Sequence, residues 1–345
     1  MEIKKLKIIK GMRIAINGFG RIGRTFFRLA FEEPNIKIVA INDLADLENL
    51  TYLLKYDTVY GKFDKKVEAV DGKLVINNKE IPFFQEKEPK NLPWKALAVD
   101  VVVEATGVFE DYNKAKAHQE SGAKKVVITA PAKGEEGKQG KTVLLGINDE
   151  DLAKFDIISN GSCTTNAVAP VMQILQEKIG IKKAILNTVH AYTSTQRSID
   201  GPSSEDWRRG RAASQNIIPS TTGAAKCVGK VIKDLDGKFD GICLRVPVVC
   251  GSIADITFIS EKPTSVEEIN KIFERASKEK RWENILGIAK EQLVSSDIIG
   301  TIKPAIVDLA FTKVVDKDLV KVLVWYDNEW AYSWTLLQQI KKLNY

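Results

Sequence analysis

A chain of 345 residues is longer than a single hydrophobic core usually supports, so its length favours two domains. Hydrophobic residues make up 44% of the sequence, yet no stretch approaches the roughly 18 apolar residues of a membrane helix, which predicts a soluble globular protein. The formal charge of +6 is mild and the basic residues are scattered, so we expect no dedicated nucleic-acid site.

The beginning of the chain, residues 1–11, is rich in lysine but lacks the apolar block and cleavage site of a secretory signal. We therefore expect a short N-terminal extension on a cytoplasmic protein with reduced thiols. Neither the spacing of the four cysteines nor the two histidines suits a metal centre, so we expect no metal.

The first strong motif joins a predicted strand, residues 12–17, to a predicted helix, residues 24–33. Between them lie three glycines in the spacing of a dinucleotide-binding turn, namely Gly18, Gly20 and Gly23. Such glycines allow a tight turn, close approach of a pyrophosphate and close packing of helix on strand. A glycine-rich turn that binds nothing is the alternative interpretation, and the flanking strand and helix disfavour it.

Asp43 follows a second predicted strand, residues 36–41, and lies 20 residues beyond the last glycine of the turn. A carboxylate there accepts hydrogen bonds from the ribose hydroxyls and repels a 2′-phosphate, which predicts NAD over NADP. Further strands at 99–104 and 124–129, around a helical stretch at 111–122, predict a doubly wound parallel sheet.

Ligands of such sheets bind beyond the carboxyl ends of the strands. The loops at residues 106–107 and 129–131 follow two predicted strands and are candidates for contacts with the dinucleotide. Ordinary turns explain both loops equally well. Residues 67–84 alternate between apolar and polar positions and resemble a hairpin insertion without chemistry.

Cys163 lies between a predicted strand, residues 155–158, and a predicted helix, residues 167–179, in a segment rich in hydroxyl groups. A helix N-terminus stabilises a thiolate, so we expect a lowered thiol pKa and a nucleophilic role. A buried, inert thiol is the alternative, and it is the better interpretation for the cysteines with apolar neighbours, Cys227, Cys243 and Cys250.

A reactive thiol needs a base, and two histidines compete for that role. His118 lies in a lysine- and glutamate-rich segment that predicts a solvated helix face, whereas His190 follows a predicted strand, residues 184–189. We therefore expect His190 to pair with Cys163 as an ion pair and to act as general base and acid. A structural histidine at a strand end is the alternative.

The polar stretch at residues 193–222 is too long for an idle loop. It contains Arg208, Arg209 and Arg211, and it ends in hydroxyl residues before a predicted helix, an arrangement suited to phosphate. Arg245 is a charge within an apolar strand and needs an anion. A substrate phosphate and a structural carboxylate both satisfy that need.

Taken together, these motifs resemble the glyceraldehyde-3-phosphate dehydrogenase family from residue 12 essentially to the C-terminus. The family's motifs appear in its order and spacing: Asn-Gly-Phe-Gly-Arg-Ile-Gly-Arg (17–24), Ser-Cys-Thr-Thr-Asn (162–166), His-Ala-Tyr-Thr (190–193), Asn-Ile-Ile-Pro (216–219), Thr-Gly-Ala-Ala-Lys (222–226) and Trp-Tyr-Asp-Asn-Glu-Trp (325–330).

The resemblance implies roles for further residues. It implies cofactor contacts at Gly18, Gly20, Arg21, Ile22, Gly23, Asp43, Lys87, Thr129 and Asn328, with Lys87 where the family usually has arginine. It implies two phosphate sites built from Ser162, Thr164, Thr193, Thr222, Gly223 and Arg245, and it implies a homotetramer. Which of the two arginines Arg208 and Arg209 meets phosphate stays open.

The implied fold is α/β: a Rossmann-type doubly wound parallel sheet at residues 12–161 and an α+β catalytic domain at 162–327. A C-terminal helix at 328–345 is expected to return to the first domain. The implied function is the NAD-dependent, phosphorylating oxidation of glyceraldehyde 3-phosphate to 1,3-bisphosphoglycerate through a thioester on Cys163. Erythrose-4-phosphate dehydrogenase on the same scaffold and a non-catalytic RNA-binding or regulatory role are the alternatives.

Overall fold

A computed structural model describes residues 11–204 and 206–343, which form two β-sheets flanked by helices. The first sheet contains β1 (Met12–Asn17), β2 (Ile36–Asn42), β3 (Val67–Val70), β4 (Lys73–Ile76), β5 (Lys79–Phe84), β6 (Val101–Glu104), β7 (Lys125–Ile128), β8 (Lys141–Thr142) and β9 (Ile157–Ser159). The second contains β10 (Ile181–Ala191), β11 (Ile218–Thr221), β12 (Phe239–Val246), β13 (Ser252–Ser260), β14 (Leu286–Ala289), β15 (Ala305–Val315) and β16 (Leu319–Tyr326).

Eight α-helices of the described residues connect or cover these strands. They are α1 (Arg21–Ala30), α2 (Leu47–Lys55), α3 (Tyr112–Ala115), α4 (Ala117–Glu120), α5 (Cys163–Ile179), α6 (Ala224–Val231), α7 (Val266–Ala276) and α8 (Trp330–Lys342). In the part of the chain that the structure describes, none of the helices has the length and apolar character needed to cross a bilayer.

The first sheet has the order β3-β4-β5-β2-β1-β6-β7-β9-β8. Strands β2, β1, β6, β7 and β9 pair in parallel, and β3, β4 and β5 form an antiparallel extension at one edge. The strand order reverses between β1 and β6, the point where doubly wound sheets bind their ligands. The predicted Rossmann-type sheet is therefore confirmed, and the predicted hairpin insertion forms its antiparallel edge.

The parallel strands are recognisable in the sequence because both of their faces are covered. Val101, Val102 and Val103 of β6 are all fully buried, as are Ile14 and Ile16 of β1. A strand buried on both faces carries an unbroken apolar run instead of an alternating pattern. Such runs predicted these strands correctly to within two residues.

The second sheet has the order β11-β12-β10-β13-β16-β15-β14 and is mainly antiparallel. One of its faces packs against α5, α6 and α7, so residues of β13 alternate strictly between buried and partly exposed positions. The opposite face leaves large apolar side chains exposed, among them Ile185, Ile242 and Phe311. This architecture confirms the predicted α+β character.

Helix α8 returns to the first sheet, as the sequence predicted. Leu336, Leu337 and Ile340 belong to the same core as Phe26 and Phe27 of α1. The chain thus crosses to the second sheet after β9 and comes back at its C-terminal end.

The structure contradicts the solvated position predicted for His118, which is completely buried on α4. The lysines and glutamates that suggested exposure do face outward. However, Ala115 and His118 are three residues apart, and residues at that spacing share a face of helical backbone. That shared face points into the first sheet, where His118 contacts Glu104 and Trp94.

Candidate active site

The glycine turn after β1 is shaped by close backbone packing. Gly18 has a φ of 93°, and a side chain there would place Cβ 2.6 Å from the backbone of Ala105. At Gly23 the same Cβ would lie 2.1 Å from the carbonyl oxygen of Gly18. Gly20, by contrast, faces open space within 4 Å. Two of the glycines are therefore required by the fold, and the third leaves room beside the turn.

Helix α1 begins at Arg21 directly behind this turn. The backbone N–H groups of Arg21, Ile22 and Gly23 lie in its first turn and have no acceptor within the helix, which makes them an anion site. The Arg21 side chain points elsewhere and forms ion pairs with Asp57 and Glu329. Arg21 can therefore contact a pyrophosphate through its backbone.

A cleft of about 440 Å³ opens beside the turn at the carboxyl ends of β1, β2 and β6. Asp43 lies in it, with one carboxylate oxygen accepting from the Phe19 N–H at 2.6 Å and the other from the Ala45 N–H. The exposed Lys87 side chain also lines the cleft. The lining residues are Asn17, Gly18, Gly20, Asn42, Asp43, Leu44, Glu86, Lys87, Glu88, Ala105, Thr106, Val108 and Phe109.

Two predicted cofactor residues, Thr129 and Asn328, lie outside this lining. Thr129 follows β7, and its N–H donates to the carbonyl of Glu104. Asn328 follows β16, and its side-chain carbonyl accepts from the Gly251 N–H at 3.1 Å and the Ser252 hydroxyl at 2.9 Å. The side-chain amide NH₂ of Asn328 remains for a ligand.

A continuous set of contacts leads from the glycine turn to the second sheet. Arg21 pairs with Glu329, the neighbour of Asn328, and Asn328 contacts Ser252. The Ser252 hydroxyl in turn accepts from the N–H of Ala191, which follows His190 on β10. Gly251 and Ser252 therefore hold the Asn328 side chain, and Arg21 holds the neighbouring Glu329.

Cys163 is the first residue of α5, and its sulfur lies 3.4 Å from Nε2 of His190. Ser162 caps the helix by accepting from the Thr165 N–H at 3.0 Å, which fixes the direction of the first turn. Cys163 is only partly buried, whereas His190 is 4% exposed. The geometry thus offers an accessible thiol backed by a buried imidazole.

The other ring nitrogen of His190 is held by two groups. Nδ1 lies 2.6 Å from the carbonyl oxygen of Ala191 and 2.7 Å from a guanidinium nitrogen of Arg245. That guanidinium nitrogen also donates to the same carbonyl at 3.0 Å. Nδ1 can donate to the Ala191 carbonyl or accept from Arg245, but it cannot do both. Donation to Ala191 is the arrangement that leaves Nε2 unprotonated and facing the thiol, as a base requires.

The direction of the thiol pKa differs from the lowering that the sequence predicted. Burial raises the pKa of Cys163 to about 11, although the charge of Arg245 and hydrogen bonds from Thr164 lower it. Burial and Arg245 together lower the pKa of His190 to about 3. The helix N-terminus is present, but it is outweighed by the loss of water around the sulfur.

The contact between Cys163 and His190 acts against the cost of burial. An imidazolium 3.4 Å from the sulfur would stabilise a thiolate by Coulomb attraction. The ion pair between these two residues therefore stays a prediction.

Hydroxyl groups surround this pair. The Tyr326 hydroxyl lies 2.9 Å from that of Thr164 and 2.8 Å from that of Thr188, and the Tyr326 ring packs edge-on against His190. Strand register brings Arg245 beside His190, since the two residues are partners in the parallel pair β10 and β12. The sequence predicted Thr164 but not Tyr326, Thr188 or Ser252.

The remaining predicted phosphate ligands lie at two places. Thr222 and Gly223 precede α6, where the Thr222 hydroxyl accepts from the Ala224 N–H and Gly223 faces open space. Thr193 follows β10, with its hydroxyl 3.0 Å from that of Thr195. Among the described residues no carboxylate forms an ion pair with Arg245, whose guanidinium contacts the His190 ring and the Ala191 carbonyl. Its role in binding a substrate phosphate stays a prediction.

Comparison with known proteins identifies the family. The model "Glyceraldehyde 3-phosphate dehydrogenase, NAD binding domain" matches residues 12–112, and "Glyceraldehyde 3-phosphate dehydrogenase, C-terminal domain" matches residues 162–328. The glyceraldehyde-3-phosphate dehydrogenase of Borreliella burgdorferi is 47% identical over 96% of this chain and 99% of its own length. That of Thermotoga maritima is 50% identical over 93% and 96%. The chain belongs to the glyceraldehyde-3-phosphate dehydrogenase family.

Membership in the glyceraldehyde-3-phosphate dehydrogenase family confirms several predictions made from the sequence. The protein is an NAD-dependent oxidoreductase that acts on an aldehyde. The predicted family, fold class and cofactor are correct. The individual roles of the site residues stay predictions, as do the domain boundaries.

The other thiols of this family member lie away from solvent. Cys227, Cys243 and Cys250 are buried, and burial raises the pKa of each. Within residues 11–204 and 206–343, no group of three or more histidine, cysteine, aspartate or glutamate side chains could hold a metal ion. Cys163 is therefore the thiol that reagents can reach in the described part of the chain.

Proposed function

We propose that this protein catalyses the phosphorylating oxidation of D-glyceraldehyde 3-phosphate to 1,3-bisphosphoglycerate, with Cys163 as nucleophile and His190 as general base. The observation that carries the proposal is the partly exposed Cys163 thiol at the start of α5, 3.4 Å from an imidazole nitrogen. The reaction belongs to glycolysis and gluconeogenesis.

The chemistry follows from the contact between the Cys163 sulfur and the imidazole nitrogen. Nε2 of His190 takes the thiol proton as the sulfur of Cys163 adds to the aldehyde carbon, and it returns that proton to the aldehyde oxygen, which gives a hemithioacetal and a neutral imidazole. The hemithioacetal hydroxyl then loses its proton to the imidazole while the C–H hydrogen leaves with its electron pair, and a thioester remains. NAD, when bound, accepts this hydride.

Inorganic phosphate completes the reaction. A phosphate oxygen attacks the thioester carbon, the acyl phosphate forms, and the sulfur of Cys163 leaves and regains a proton from the His190 imidazolium. The hydroxyls of Ser162 and Thr164 and the helix start at Thr222 and Gly223 suit one phosphate. Thr193 and Arg245 suit the other phosphate.

Arg209 is our candidate for the second guanidinium that meets phosphate. Arg208 is engaged by Asp206, and Arg211 by Asp200. In the described part of the chain, Arg209 has no comparable ion pair. It lines a surface depression together with Thr221 at the end of β11, directly before Thr222.

We assign the cofactor to the cleft beside the glycine turn and to Asn328. The first-turn N–H groups of α1 suit the pyrophosphate, and the Asp43 carboxylate suits the ribose hydroxyls. Lys87, at the rim, suits the adenosine half. Thr129 and the NH₂ of Asn328 suit the nicotinamide half.

The residues present fit a dinucleotide, and one substitution tests the fit. Gly20 has an ordinary φ of −71° and free space around its Cβ position, so Gly20→Phe should fold normally while its ring fills the cleft. We expect NAD binding to be lost while iodoacetamide still alkylates Cys163 at the normal rate. Unchanged NAD affinity would contradict this cofactor site.

The central test measures NADH formation from glyceraldehyde 3-phosphate with and without inorganic phosphate. We expect phosphate-dependent turnover with NAD and loss of that turnover in Cys163→Ser, which should still bind NAD. Substantial phosphorylating activity in Cys163→Ser would refute the proposal. A higher kcat/KM for erythrose 4-phosphate than for glyceraldehyde 3-phosphate would favour the related dehydrogenase instead.

We also propose a cytoplasmic homotetramer whose chains divide into a cofactor domain, residues 12–161, and a catalytic domain, residues 162–327. Exposed apolar side chains on the loop at 193–222 and on the outer face of the second sheet support contacts between copies of this chain. They include Trp207, Ile199, Ile217, Ile185, Ile242 and Phe311. Sedimentation should give four times the chain mass, and a monomer would contradict this assembly.

A further inference from the structure

A chain of buried polar side chains lies under the cleft, and the mechanism above does not use it. We call it the Glu104 network; it consists of Trp94, His118, Glu104, Asn17 and Asn42, which are 0% to 4% exposed. Its members come from separate segments, since β1, β2 and β6 each end in one of them and α4 carries His118. Buried polar groups are costly unless they are fully hydrogen-bonded.

The proton positions in this network follow from its first member. Indole nitrogen only donates, so Nε1 of Trp94 donates to Nδ1 of His118 at 3.0 Å. The His118 proton must then sit on Nε2, which donates to a carboxylate oxygen of Glu104 at 2.8 Å. Trp94 thus selects one tautomer of a neutral imidazole.

Glu104 receives hydrogen bonds from every side. Besides His118, the side-chain NH₂ of Asn17 donates to the same oxygen at 2.6 Å. The other oxygen accepts from the N–H of Thr106 at 2.9 Å and from the Thr106 hydroxyl. Four donors converge on one carboxyl group, and only a group that accepts at both oxygens satisfies them all.

The network continues to the opposite wall of the cleft. The Asn17 side-chain carbonyl accepts from the NH₂ of Asn42 at 2.7 Å. Asn42 in turn exchanges two hydrogen bonds, each of 2.9 Å, with the backbone of Glu86. Thr106 and Glu86 both line the cleft, so a single buried carboxylate connects two of its walls.

We propose that Glu104 is a positioning residue for NAD. It holds the loop at Thr106 and, through Asn17 and Asn42, the loop at Glu86 and Lys87 at the separation that the cofactor needs. Rigid walls lower the conformational cost of binding, so the network contributes to affinity without touching the reacting atoms. This inference rests on the proposed location of NAD in the cleft.

The variant Glu104→Gln tests the positioning role of Glu104 with almost no change in the size of the side chain. Its NH₂ cannot accept a hydrogen bond, so at least one of the four donors faces another donor. We expect the KM for NAD to rise about tenfold or more, because a buried charged hydrogen bond is lost. At saturating NAD, kcat should stay within about twofold, since only ground-state binding has changed.

Thr106 gives a second pair of variants at an exposed position, which should fold even if Glu104→Gln does not. Thr106→Val removes the hydroxyl that Glu104 holds, and Thr106→Ser keeps it. We expect a raised KM for NAD in Thr106→Val and a value near that of the parent protein in Thr106→Ser. Glu120→Gln is the matched control, because it removes an exposed carboxylate from the same helix as His118.

The KM for NAD, kcat and the rate of Cys163 alkylation together distinguish a positioning role of Glu104 from a general structural role. Alkylation of Cys163 by iodoacetamide without NAD should be unchanged in all these variants. The inference is overturned if folded Glu104→Gln and Thr106→Val keep the parental KM for NAD. It is also overturned if kcat and the alkylation rate fall together with NAD affinity. Unchanged NAD affinity in Gly20→Phe is a separate result, which removes the cleft assignment itself.

Discussion

At the scale of single residues, Arg245 is the group that connects substrate binding to the state of the base. Its guanidinium contacts Nδ1 of His190 and donates to the carbonyl of Ala191. Its charge lowers the pKa of both His190 and Cys163. Arg245 thus favours the thiolate while it disfavours the imidazolium, and a bound phosphate would neutralise part of both effects.

Arg245→Gln removes this charge. The pKa of the Cys163 thiol should rise, so less thiolate is present at a given pH and the pH profile of alkylation moves to higher pH. The pKa of His190 should rise from about 3 towards its ordinary value. We expect Arg245→Lys, which keeps the charge, to retain most of the parental profile. The rate of Cys163 labelling by iodoacetamide is measured across pH for both variants. An unshifted profile in Arg245→Gln would contradict the proposed effect of the Arg245 charge on the thiol.

His190→Asn should lower kcat/KM by about 10²- to 10⁴-fold, the range expected for a positioned acid–base group. It should also slow alkylation of Cys163, because the acceptor of the thiol proton is gone. The pH dependence of alkylation in the parental protein distinguishes a neutral Cys163–His190 pair from an ion pair. A neutral pair predicts alkylation that keeps rising with pH, whereas a plateau at about pH 6 to 8 would indicate an ion pair.

The residues of the site were predictable where a motif carries them. Cys163 and His190 were paired from the sequence alone, and the structure brings them to 3.4 Å. His118 was misplaced because charged neighbours hid the one inward position of a short helix. Tyr326 and Ser252 gave no signal, since each meets the site through a strand partner distant in sequence.

Among the elements, β16 and β10 hold the start of α5. Ser162 caps the helix, Thr164 in its first turn contacts Tyr326 of β16, and Tyr326 contacts Thr188 of β10. One buried hydroxyl thus connects Thr164, next to the nucleophile, with Thr188, two residues before the base.

Tyr326→Phe removes that hydroxyl and keeps the ring against His190. Two buried hydroxyls then lose a partner, which should cost about 1–3 kcal/mol of unfolding free energy. Urea unfolding measures the loss, and Tyr52→Phe on the exposed face of α2 serves as the control. We also expect a larger KM for inorganic phosphate, because Thr164 is no longer oriented. An unchanged unfolding midpoint would mean that the hydroxyl bridge contributes nothing.

Elements of the first sheet were more predictable than those of the second. Buried parallel strands give apolar runs in the sequence, and the glycine turn indicated that a helix, α1, follows it. The second sheet pairs strands that are far apart in sequence, such as β10 with β12 and β13 with β16. No local pattern in the sequence indicates such pairings, so the strand order of this sheet was not predicted.

At the scale of the whole molecule, Arg21 connects the beginning of the chain to its end. It bridges Asp57, which follows α2, and Glu329, which precedes α8. Burial alone raises the pKa of Asp57, but hydrogen bonds from the Tyr60 N–H and from Arg21 outweigh this and hold the pKa below its usual range.

A lowered pKa in the folded state makes the contribution of Asp57 pH-dependent. Its stabilisation is present above the pKa of an unfolded aspartate, about 3.9, and is lost as the pH falls through the lower folded value. Arg21→Met should therefore reduce the urea midpoint at neutral pH and flatten its decline in acid. Arg211→Met, which breaks only an exposed pair with Asp200, should change little. An equal effect of both variants would contradict this role of Arg21.

The side chain of Asn328 has a consequence for stereochemistry. With its carbonyl held by Gly251 and Ser252, the amide can offer only donors to the carboxamide of a bound nicotinamide. Such a donor would oppose rotation of the nicotinamide ring, and transfer to one face would then be favoured. NADH made from an aldehyde deuterated at carbon 1 should then carry the label at one prochiral position of its dihydropyridine ring, and Asn328→Ala should scramble it.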